Sequence, residues 1–149
     1  MSEELLTTAR RLARASAGKP RQADLRRSVS TAYYALFHAL ARDAADLLVG
    51  TDAARPEWVR VYRALDHGQA RTACRIVRSG DGTLAPVAAT FLALQDARHD
   101  ADYDPVVRLD RSGALRLCDR AAEALADLRQ ASRPDRRTFA VALLFRERR

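Results

Sequence analysis

Residues 21–48 contain neither Gly nor Pro, and Gly50 follows closely. An uninterrupted stretch of that length, rich in Ala and Leu, predicts one long helix that the rest of the chain must pack around. Leu25, Val29, Ala32, Tyr33, Leu36, Leu40 and Leu47 recur at helical spacing as a core stripe. A second stripe, Ser30, Tyr34, Phe37, Ala41 and Leu48, is offset by roughly a quarter turn. An apolar arc that wide implies cover on two sides, one by the bundle and one by a second subunit or a packed loop.

The other segments also read as helical, because breakers stand only between them. Residues 3–17 carry Leu5, Leu6, Ala9, Leu12 and Ala13 on one side and end at Gly18-Lys19-Pro20. Pro56 opens a helical stretch to residue 78, with an expected break at Gly68. After the Ser79-Gly80-Asp81-Gly82 loop, Thr83 is the expected cap of a helix that carries Val87, Phe91, Leu92 and Leu94 to about Ala101. Asp104-Pro105 stops it. Asp110 is the expected cap of a further helix to about Gln130, with Leu115, Cys118, Ala122, Leu125 and Leu128 inward. Pro134 sets off residues 135–146, whose Phe139–Phe145 run fits a short helix or a strand. The expectation is an all-α bundle of four to five main helices over residues 1–132. Residues 133–149 would form a C-terminal extension that docks on the bundle or on a partner.

With 149 residues the chain suits one domain. Its 48% apolar and 30% charged residues predict neither a disordered tail nor a membrane protein. The acidic start and the two lone cysteines, Cys74 and Cys118, suggest a cytoplasmic protein without a signal peptide or disulfide framework. The net charge is +7, and all but one of the 26 basic residues are Arg, the exception being Lys19. A guanidinium surface suits phosphate, but a GC-rich coding sequence rich in Arg and Ala codons would leave the same mark.

Several chemistries are absent from the pattern. There is no nucleophile elbow and no Gly-rich phosphate loop. The cysteine spacing does not suit structural zinc. Asp100, Asp102 and Asp104 imitate a calcium loop, but Pro105 and Arg111 stand where it needs Gly and Glu. No metal and no cofactor are therefore expected. The most charged segment is Arg98-His99-Asp100-Ala101-Asp102-Tyr103-Asp104-Pro105. There Arg98 can pair with Asp102, and His99 with Tyr103, each four residues apart on one helix face. This is either a solvated helix terminus or a site.

Two further segments join it in a fixed order: Ser30-Thr-Ala-Tyr33-Tyr34-Ala-Leu-Phe37-His38, and Arg63-Ala-Leu-Asp-His-Gly68. Over residues 5–130 the three together resemble a prokaryotic branch of the HEPN superfamily, helical proteins of toxin–antitoxin and defence systems. The resemblance implies an up-and-down helical bundle that forms a homodimer, with the Arg-bearing helix ends meeting near the two-fold axis. It also implies RNA or nucleotide as partner and, in catalytic members, metal-independent RNA cleavage by an Arg-x(4–6)-His motif. Arg98 would then bind phosphate and Asp102 would orient it. His99 and Tyr103 would move protons, while Ser30, Tyr34 and His38 would line the cleft. This chain departs from the motif, because Tyr103, Asp104 and Pro105 occupy the three positions open to the His. Arg60 and His67 have the spacing but lie in the wrong segment. The expected function is therefore a HEPN-like RNA-binding protein or ribonuclease. The alternative is a non-catalytic dimeric module that binds nucleotide or a neighbour-encoded partner such as a nucleotidyltransferase-type antitoxin.

Overall fold

A computed structural model of the chain describes residues 1–148; Arg149, the last residue of the expected extension, lies outside them. The described residues form seven helices and no strand. These are α1 (Ser2–Ala13), α2 (Gln22–Val49), α3 (Pro56–Ala64), α4 (His67–Ser79), α5 (Ala85–Tyr103), α6 (Arg111–Gln130) and α7 (Arg133–Leu144). None is long and apolar enough to cross a membrane.

The 28-residue α2 is the axis of the molecule. Helices α1, α3, α5, α6 and α7 all pack on it, and α4 closes the bundle against α5 and α7. The core stripe read from the sequence is buried from Leu25 to Leu40; Leu47 is half-buried, and Ala44 and Ala45 complete the stripe in its place. Of the second stripe, Phe37 and Ala41 are buried and Leu48 is exposed. The cover over Phe37 comes from the chain itself, since the His67 ring stacks on it at 4.2 Å between centroids.

Several boundaries differ from expectation for local reasons. The stretch 56–78 is two helices, because the chain turns extended at Leu65 and Asp66 before Gly68 is reached. The Asp66 side chain accepts the backbone N–H of Gln69 at 2.8 Å, so it is an N-cap. Leu84, not Thr83, stands at the start of α5, where no side-chain cap bond forms; the buried Leu84 anchors the turn. Helix α1 ends at Ala13, four residues earlier than expected. There Arg111 takes up the carbonyls of Ala13, Ser16 and Gly18 at 3.0, 2.6 and 2.8 Å, holding the following residues as a loop. On α6 the inward residues are Ala114, Cys118, Ala121, Ala124, Leu125 and Leu128, whereas Leu115 and Ala122 are half-buried. Pro134 lies in the first turn of α7, where a missing N–H costs nothing, so it starts the helix it was expected to precede. The ambiguous Phe139–Phe145 run is helical up to Leu144 and buries Phe139, Ala140 and Leu143. Cys74 and Cys118 are free and buried. Burial pushes the Cys74 thiol up to about 12, which leaves it unreactive at neutral pH.

Candidate functional site

The last two turns of α5 lie beside the middle of α2, and this apposition assembles the site. Arg98 and Asp102 are one turn apart and pair through Arg98 Nε at 3.1 Å. Ser30 of α2 donates its hydroxyl to the same Asp102 oxygen at 3.4 Å. The guanidinium carbon of Arg98 lies 5.5 Å from the centroid of the Tyr33 ring, 5.4 Å from that of Tyr34 and 6.0 Å from that of Tyr103. Each such cation–ring contact contributes about 0.5–1 kcal/mol where partly wet. The carboxylate and the rings thus fix the plane of a side chain that is only 18% exposed. Neither terminal nitrogen of Arg98 has a hydrogen-bond partner among the described residues.

Of the residues singled out in the sequence, Ser30, Tyr34, Arg98, Asp102 and Tyr103 come together. His99 tilts against the Tyr103 ring, 5.1 Å between centroids. It also lines an open pocket of about 660 Å³ with Arg71, Gln95, Asp96, Arg98 and Asp100. His38 sits one turn beyond Tyr34, 6.0 Å ring to ring, and shares a 2.5 Å hydrogen bond with the Tyr62 hydroxyl. It therefore belongs to a Trp58–Tyr62–His38 stack at the edge of the cluster.

Four residues of the cluster were not among those expected there: Tyr33, His67, Arg71 and Gln95. His67, the first residue of α4, bonds the Tyr33 hydroxyl through Nδ1 at 2.6 Å and meets the Tyr34 ring edge-on at 6.0 Å. Arg71 donates to the Gln95 Oε1 at 2.9 Å, and Gln95 Nε2 donates to the His67 carbonyl at 3.0 Å and to the Tyr33 hydroxyl at 3.4 Å. Burial, then the nearby Arg98 charge, push the His67 pKa down, and burial followed by His67 does the same to His38. Burial holds the Tyr33 phenol well above its ordinary range, so it stays protonated. The Asp66-x-x-Gln69 spacing could have signalled an N-cap at Asp66 and a helix starting at residue 67, but it says nothing of the contact between His67 and Tyr33. The described residues include no group of three or more side chains suited to a metal ion.

No family model, no curated protein and no solved structure matches the chain.

Proposed function

We propose that this chain is a HEPN-like RNA-binding protein, an up-and-down bundle acting as a homodimer, whose Arg98 receives a phosphodiester. Its role would be that of a metal-independent ribonuclease in a toxin–antitoxin or defence system of the cytoplasm. The supporting observation is the Arg98 side chain itself. Its Nε is spent on Asp102 and its plane is fixed by tyrosine rings, while both terminal nitrogens remain unbonded. Such a guanidinium suits two oxygens of one phosphate, and is already oriented for the extra charge of a phosphorane. Cleavage needs a base to take the ribose 2′-hydroxyl proton and an acid to protonate the leaving oxygen. His99 and Tyr103, side by side on the same helix face, are the groups assigned to these transfers. Asp102 orients Arg98, and Ser30 holds Asp102. Tyr34 and His38 line the approach.

A second reading, a non-catalytic module that binds nucleotide or a protein partner, is favoured by one feature. A phenol, Tyr103, stands where the cleavage motif carries an imidazole. One experiment separates the two. Purified wild-type and Arg98→Ala proteins are incubated with labelled single-stranded RNA, and binding and cleavage are both followed. The ribonuclease reading expects both to vanish in Arg98→Ala, together with toxicity on expression. Arg98-dependent binding without cleavage selects the second reading. RNA cleavage that persists unchanged in Arg98→Ala dismisses the first.

A further inference from the structure

Hydrogen-bond direction can be followed through the buried polar groups beneath Arg98. Arg71 can only donate, so the Gln95 atom it meets at 2.9 Å is the oxygen. The His67 carbonyl can only accept, so the Gln95 atom 3.0 Å from it is the NH2. These two contacts fix the amide, and the same NH2 faces the Tyr33 oxygen at 3.4 Å. The protonated Tyr33 hydroxyl is fully buried and must donate somewhere. Among the described residues its one acceptor is His67 Nδ1, at 2.6 Å. A neutral imidazole that accepts at Nδ1 carries its hydrogen on Nε2. The lowered His67 pKa agrees with a neutral ring. His67 Nε2 has no hydrogen-bond partner among the described residues, and the residue is half-buried.

We infer that the Arg71–Gln95–Tyr33 relay locks His67 as the Nε2–H tautomer, making it a second donor, beside Arg98, for an oxygen of a bound phosphodiester. His67 and Arg98 lie against the same two rings, Tyr33 and Tyr34. An imidazole N–H and a guanidinium offer donors only, the complement of an anion that accepts only. In this tautomer His67 is not the base, so it binds and positions the phosphate and leaves proton abstraction to another group. Gln95 and Tyr33 are positioning residues that act through His67. The ligand half of this inference rests on Arg98 being a phosphate ligand; the tautomer half does not.

The two halves are read separately by 15N-labelled NMR of the full chain. In the free protein at neutral pH, the His67 ring should show a pyridine-type Nδ1 and a pyrrole-type Nε2. An Nδ1–H ring in the wild type overturns the inference, whatever the protein binds. Tyr33→Phe removes the hydroxyl and should release His67 into a mixture of tautomers. Gln95→Glu offers Tyr33 a carboxylate and should turn the ring towards Nδ1–H; a His67 signal unmoved in both variants also overturns it. Adding a dinucleoside monophosphate should shift the His67 Nε2–H resonance in the wild type but not in Arg98→Ala. His67→Phe, which keeps an aromatic ring against Phe37, should weaken binding of that probe roughly tenfold or more, the size of one charge-assisted hydrogen bond. Arg98-dependent binding that leaves the His67 resonance untouched refutes the ligand role of His67 and spares the proposed function. A probe that does not bind through Arg98 at all refutes the proposed function, and the phosphate contact of His67 with it.

Discussion

The arginine surplus divides into side chains with opposite duties. Arg26 inserts its guanidinium among three carbonyls, of Ala101 and Asp104 at 2.8 Å and Val107 at 2.6 Å, and so closes the turn after α5. Arg111 does the same for the loop after α1. These charges hold backbone, whereas Arg98 keeps its terminal nitrogens unbonded. Composition could not separate the two uses, because both need a planar donor fork. Substitution can. Arg26→Ala strands three carbonyls and should lower stability by about 2–3 kcal/mol in urea unfolding, and Arg26→Lys, a point charge, should recover less than half of that. Arg98→Ala gives up ring contacts of about 0.5–1 kcal/mol each and a partly solvated pair with Asp102. Its stability cost should therefore approach that of Arg26→Ala, yet it alone should remove RNA binding. RNA binding retained in folded Arg98→Ala would make Arg98 structural too. The histidines add a pH term. His38 and His67 are held below their ordinary pKa in the fold, chiefly by burial. The unfolded chain therefore binds more protons once pH falls below about 6.5. Their contribution is present above that pH and lost as pH drops towards the lowered native values. Tm should fall between about pH 7 and pH 5.5, and by less in His38→Gln; an equal fall in that variant would assign the loss to other groups.

Helix capping and apolar burial set the elements, and α7 is the one whose packing tests this most directly. Ser132 caps it by accepting the Asp135 N–H at 3.2 Å. Phe139, Ala140 and Leu143 then enter the core, where α7 lies on α2 and α4. Arg136 reaches Asp43 of α2 at 2.5 Å, an ion pair with little exposure. Phe139→Ala should therefore cost about 3 kcal/mol, the usual range for emptying a buried aromatic site. Hydrogen exchange should show α7 opening before α2 and α6; exchange that accelerates equally in every helix would mean α7 is not a separate latch. The long α2, the break at Gly80–Gly82 (though Ser79, expected in that loop, still belongs to α4) and the Asp110 cap were legible in the sequence, because absent breakers and capping side chains act locally. The start of α5 at Leu84 and the end of α1 at Ala13 were not. One depends on a buried leucine and the other on an arginine from residue 111, both contacts made across the fold. The site divides the same way. Arg98 with Asp102, and His99 with Tyr103, are neighbours by helix periodicity alone. His67 reaches Tyr33 only because α4 docks against α5 on the far side of Asp66, and spacing along the chain carries no trace of that.

At the scale of the molecule, the two associations proposed for this +7 chain would respond to salt in opposite ways. Binding of RNA releases counterions from the phosphates, so affinity falls as salt rises. Pairing of two like-charged copies is opposed by their mutual repulsion, so it strengthens as salt screens that repulsion. The proposed dimer places the ends of α5 near the two-fold axis, and two side chains there suit an apolar contact: Tyr103 is 65% exposed and Val106 80%. Burying both on each subunit supplies a driving force that salt leaves intact. Raising salt from about 50 to 200 mM should therefore shift sedimentation towards the dimer while RNA affinity drops. Val106→Asp puts two carboxylates face to face across the axis and should return the protein to monomers without unfolding it, since the residue touches no core. If each phosphate site is completed by the neighbouring subunit, RNA binding should fall in step with dimer content across a protein dilution series. A monomer at every salt concentration that still binds RNA through Arg98 would show that one chain suffices, and that the exposed Tyr103 and Val106 serve something other than self-association.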